Sequence, residues 1–94
     1  MNKWQITFFG KGGHGAEPHK AIDTGVIAAE FILRISRENN AEILNVDAGD
    51  AFNVIADNAT IVFTFNNETE INNIARGLMT FYNKEDDFKL IKLT

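Results

Sequence analysis

The chain has 94 residues, 45% hydrophobic and 23% charged, with 13 acidic against 9 basic side chains and a formal net charge of −4. That balance, with lysines and arginines scattered, disfavours a polyanionic nucleic-acid partner, and no apolar run approaches the ~18 residues of a membrane span. The lack of cysteine excludes a disulfide framework and thiolate metal ligation and favours a cytoplasmic setting; the start, MNKWQITFFGKGG, lacks a signal peptide's long apolar stretch and cleavage site.

The length suits one domain, which would bury about 60–65% of the unfolded chain's surface. Residues 4–9 alternate Trp4, Ile6 and Phe8 against Gln5, Thr7 and Phe9, the pattern of a strand with one buried face. Next comes GKGGHGAEPH, residues 10–19, with four glycines, two histidines and the chain's one proline. So much glycine implies positive φ angles or close approach to another group, although ordinary turns also concentrate Gly and Pro. Residues 22–37 then read as a helix starting near Asp23 or Thr24. Its apolar positions cover roughly 220° of the wheel, far more than the stripe of a simple surface helix. Val26, Ala29 and Leu33 share one face, and Ala28, Phe31, Ile32 and Ile35 extend it sideways. The excess predicts a second buried flank, against another helix or another subunit.

After a turn at 39–41, EILNVDA (42–48) reads as a short strand, GDAFNVIADNA (49–59) as a loop with an apolar patch, and TIVFTF (60–65) as a strand with Ile61, Phe63 and Phe65 on one side. Asn67, with Glu70 three residues on, predicts a capped helix start. The helix that follows carries Ile71, Ile74, Ala75, Leu78, Met79 and Tyr82 at i, i+3, i+4, i+7 spacing. A polar NKEDD turn leads to FKLIKL (88–93), a strand whose two lysines suit a sheet edge. The order β-α-β-β-α-β most economically forms an α+β, ferredoxin-like sandwich: a four-stranded antiparallel sheet with both helices on one face.

Few chemistries fit these residues. His14 and His19, with Glu17 between them, lack the third and fourth ligands of a metal site. GKGG lacks the spacing and the Ser or Thr of a phosphate loop. Ser36 lies within a helix rather than on a nucleophile elbow. Two features remain: His14 in a loop whose glycines permit close approach to a ligand, and Asn53, a polar amide amid the apolar residues of DAFNVIAD, whose alternative role is to bond its own backbone in a turn.

GKGGHGAEPHKAID, then a helix, ISRENN, and GDAFNVIADNATIVFTF closely resemble, in matching order, the dimerisation (lid) domain of the M20 family of zinc metallopeptidases and amidohydrolases, and most nearly its aminoacylase and hippurate-hydrolase-like branch. That lid has a Gly-x-Gly-Gly-His-Gly-Ala-x-Pro-His loop and an Asn-Val-Ile-Pro turn. The resemblance implies a ferredoxin-like lid inserted into a catalytic domain that holds two zinc ions, and a homodimer formed through the lids. It implies that His14 reaches the partner's active site and stabilises the oxyanion formed when the amide carbonyl of an N-acyl amino acid or small peptide is attacked. Asn53 is expected to contact substrate, with Gly12 and Gly13 shaping the loop; Lys11 and Pro18 match as loop architecture, and His19 matches without a role.

The chain departs from the pattern at three points. No zinc ligand or catalytic base matches, Ala56 replaces the turn proline, and Asn66 replaces an Arg that can bind a substrate carboxylate at the end of the third strand. The expectation is therefore an excised lid spanning residues 1–94, inactive alone, with no metal of its own and no nucleic-acid or membrane partner. Two elements are candidate subunit contacts: the extra flank of the first helix, with Phe31 and Ile35, and the strand EILNVDA. The rival is a freestanding ferredoxin-like module that binds a small acidic or amino-acid ligand through its loop histidine.

Overall fold

The computed structural model describes residues 2–10, 23–39, 41–48, 58–82 and 87–94. Its elements are β1 (Asn2–Phe9), α1 (Thr24–Asn39), β2 (Glu42–Ala48), β3 (Asn58–Phe65), α2 (Glu68–Phe81) and β4 (Phe88–Lys92). The strands form one antiparallel sheet in the order β2-β3-β1-β4. This is the expected ferredoxin-like arrangement.

Alternation in β1 and β3 determines which face is covered. Trp4, Ile6 and Phe8 pair across the ladder with Phe63, Ile61 and Ala59, and all six are buried beneath the helices. Phe31 of α1 binds this layer together, edge-on to Phe8 at 5.3 Å and to Phe63 at 5.5 Å between ring centroids. α2 adds Ile71, Ala75, Leu78 and Met79, the stripe its spacing predicts. Each large side chain so buried contributes about 1.5–3 kcal/mol relative to an exposed one. The opposite face of the sheet is more polar; there the Thr7 and Thr60 hydroxyls bond across the strands at 3.0 Å.

Both helix starts are capped by side chains. Asp23 Oδ1 accepts from the Gly25 N–H at 2.9 Å, and Asn67 Oδ1 accepts from the Glu70 N–H at 3.1 Å. Each satisfies a donor that a helix start leaves without an intrahelical partner.

The structure corrects the reading of α1. Phe31 and Ile35 are fully buried within the domain, together with Ile27 and Ala28, so they are not available to a second subunit. The exposed flank is the one that carries Val26 and Leu33, 50% and 54% exposed. A wide apolar arc cannot reveal which of its edges faces the sheet, because that depends on where α2 packs. α1 starts at Thr24, as its sequence suggests, while other boundaries shift: β1 starts at Asn2 rather than 4, α1 ends at Asn39 rather than 37, β3 starts at Asn58 rather than 60, and β4 ends at Lys92 rather than 93.

Candidate functional site

The sheet brings two chain segments to one of its ends. β1 finishes at Phe9, paired with Asn58 at the start of β3, and β2 finishes at Ala48, paired with Ala59. The Phe9 N–H donates to the Asp87 carbonyl at 2.9 Å, and the chain re-enters the described fold at Asp23, the cap of α1. Residues 11–22 and 49–57 are therefore both anchored at this end. His14, Gly12, Gly13 and Asn53 fall within those two segments and lie outside the described residues, as do Lys11, Glu17, Pro18, His19 and Ala56.

Position 66 is described, and it stands elsewhere. Asn66 is exposed just after β3, at the end where Phe65 pairs with Asn2. With an antiparallel rise of ~3.4 Å per residue, that is about 24 Å along the strand from Asn58. The chain's two ends meet at this same end: the Leu93 N–H donates to the Lys3 carbonyl at 2.7 Å, and the Lys3 N–H to the Thr94 hydroxyl at 3.2 Å.

Among the described residues no cluster of three or more His, Cys, Asp or Glu side chains is placed to hold a metal. They do not fit a zinc site, and no helix of the structure is long and apolar enough to cross a membrane. Titration is perturbed at Tyr82, whose hydroxyl is pushed above its ordinary value by burial and then by the Glu30 carboxylate.

The sequence reading missed a cleft of about 330 Å³ between α2 and β4, lined by Trp4, Glu68, Asn72, Arg76, Phe88, Leu90 and Lys92. Its signal was the row Glu68, Asn72, Arg76 at i, i+4, i+8, which sets three polar side chains along one flank of α2.

Comparison with known proteins agrees with the topology. Residues 1–82 match the family model described as a peptidase dimerisation domain, M20_dimer. The chain is 40% identical over 73 residues to the IAA-amino acid hydrolase ILR1-like 5 of Arabidopsis thaliana, covering 67% of this chain and 17% of that protein. It is 31% identical over 104 residues to the N-acetyldiaminopimelate deacetylase of Streptococcus thermophilus, covering 90% of this chain and 28% of the relative. Among solved structures, the YXEP protein of Bacillus subtilis, described as a dinuclear metal binding peptidase from the M20 family, superposes with a TM-score of 0.64 at 23% identity, over 98% of this chain and 25% of that one. The chain thus spans between about a sixth and just over a quarter of the length of these relatives. With the β-α-β-β-α-β order and the four-stranded sheet, the match over residues 1–82 places this chain in the dimerisation-domain family of the M20 peptidases and amidohydrolases.

Proposed function

We propose that the chain is the lid and dimerisation domain of a zinc-dependent M20-type amidohydrolase, excised at residues 1–94 from a two-domain, cytoplasmic enzyme and inactive alone. The observation that carries this reading is the family match over residues 1–82, joined to a relative at 40% identity that is named an IAA-amino acid hydrolase. The parent reaction is hydrolysis of an N-acyl amino acid or small peptide amide. Two zinc ions would supply Lewis-acid chemistry in the catalytic domain; the donor set described here does not fit them, so no step is assigned to them through this chain.

The role assigned to this chain is electrostatic. His14 donates a hydrogen bond to the carbonyl oxygen as it gains negative charge, and Asn53 and the backbone at Gly12 and Gly13 position the substrate. Chain reach supports a shared site. His14 is five residues beyond Phe9 and Asn53 five before Asn58, so at ~3.3–3.6 Å per residue each Cα can lie within about 18 Å of its anchor, and the anchors are paired neighbours. Asn66 follows Phe65, which pairs with Asn2, at the opposite end of the sheet from the strand ends that anchor the His14 and Asn53 segments.

For the dimer, the support lies in β2 and α1. β2 is an edge strand with Leu44 and Val46 exposed, and α1 exposes Val26 and Leu33; an open edge beside apolar side chains suits isologous pairing.

In the full-length enzyme, His14→Ala should lower kcat about 100–1,000-fold, the size of a lost oxyanion donor. Bound zinc, measured by metal analysis, should stay unchanged. Loss of zinc in that variant would make His14 a ligand and overturn its assigned role.

A further inference from the structure

We infer that the outer edge of β4 binds an extended peptide of alternating acidic and apolar residues, added to the sheet as an antiparallel strand. β4 and β2 are opposite edges of the sheet, and the inference does not rest on the lid reading.

The backbone makes the first part of the site. Just before β4 the Asp87 carbonyl accepts from the Phe9 N–H, and just after it the Leu93 N–H donates to the Lys3 carbonyl. The odd-numbered residues of this stretch therefore turn their polar groups toward β1, and in an antiparallel ladder the alternate residues turn theirs the other way. The N–H and C=O groups of Phe88, Leu90 and Lys92 thus point out of the sheet, on a side where no strand pairs with β4. Such a row is a template for an added strand, whose main chain supplies affinity and whose alternate side chains supply specificity.

The two faces of β4 decide what those side chains are. Phe88 and Leu90 lie on the helix side, only half-buried, beside a cleft of about 330 Å³ under α2. A residue placed opposite Leu90 shares that face, and the cleft leaves room for an apolar side chain there. Lys92 lines one end of it, with its ammonium 5.9 Å from the centre of the Trp4 ring. On the open face Lys89 and Ile91 are exposed, in register with the uncharged Thr7 and Gln5. An acidic residue set opposite Lys89 gains an opposite-charge pair. β4 carries two lysines and no acid, in a chain of net charge −4. Two β4 edges paired with each other would gather all their lysines with no acid between them, so charge selects an acidic strand over a second copy.

The test is a ¹H–¹⁵N titration of the full 94-residue chain with the capped peptide acetyl-Thr-Glu-Val-Glu-Val-amide, whose central valine falls opposite Leu90 in an antiparallel pair. Binding should saturate at millimolar concentration. The amide N–H groups of Phe88, Leu90 and Lys92 should gain protection from hydrogen exchange, while those of Lys89 and Ile91, which face β1, should change little. Methylating the central valine's nitrogen should weaken binding about tenfold, and methylating that of the preceding glutamate, which faces solvent, should not. Replacing both glutamates by lysine should also weaken binding about tenfold, and Lys89→Glu should reverse that preference between the two peptides. A urea midpoint for Lys89→Glu matching the unsubstituted chain's would show that its fold is intact. No saturation, equal binding of the acidic and basic peptides, or equal binding of the two methylated peptides would each overturn the inference. So would protection of Phe88, Leu90 and Lys92 already present in the free chain and lost on dilution, which would give this edge to a second copy.

Discussion

Gly77 and Gly25 show how differently one residue type is used. Gly77 lies inside α2, exposed, with nothing within 4 Å of where a Cβ would stand. Glycine there costs helix stability and accommodates no neighbour. Gly77→Ala should therefore stabilise the domain by about 0.5–1 kcal/mol, read as a higher urea midpoint. Gly25 is constrained: a Cβ would stand 3.0 Å from Asp23 Oδ1, the atom that caps α1. A methyl group there crowds the capping oxygen, which must give by a few tenths of an ångström, so Gly25→Ala should gain less than Gly77→Ala. Neither role is legible in the sequence, where both glycines simply sit inside helical patterns. The Asn67 cap was legible, because its side chain bonds a backbone N–H three residues away and needs no tertiary partner.

Elements were legible in proportion to how simple their surroundings are. β1 and β3 are central strands with one covered face, so strict alternation identified their buried residues. α2 carries a narrow stripe and behaved the same way. β2 hid its faces because its register shifts between Ile43 and Asn45, leaving Leu44 opposite no partner and breaking the period of two. The two sheet edges are also unlike. β4 exposes Lys89 and Lys92 beside Ile91, whereas β2 exposes Leu44 and Val46 between Glu42 and Asp47. In the full-length enzyme Val46→Lys should therefore convert the proposed dimer to monomers by sedimentation, while Ile91→Lys on β4 leaves the mass unchanged. A dimer that survives Val46→Lys moves the contact away from the β2 edge.

At the scale of the whole molecule, the sheet has two unlike ends. The chain's ends are bonded to each other at one end of the sheet, and the segments carrying His14 and Asn53 are anchored about 24 Å away at the other. The candidate site itself was legible only through the resemblance, since composition and spacing left the histidine loop open between a turn and a ligand contact. A lid that serves a neighbouring subunit makes a prediction that a lid serving its own does not. Full-length subunits carrying His14→Ala retain a sound catalytic domain; subunits whose catalytic domain has lost its general base retain a sound lid. Each pure population should be nearly inactive. Mixed and allowed to exchange, they form hybrids in which one centre combines an intact base with an intact His14 from the other chain. With equal amounts and random pairing, half the dimers are hybrids with one working centre of two, so activity should recover to about a quarter of the unsubstituted enzyme's. Delivery within one subunit leaves every centre of the mixture defective, and no recovery would place His14 over the zinc domain of its own chain.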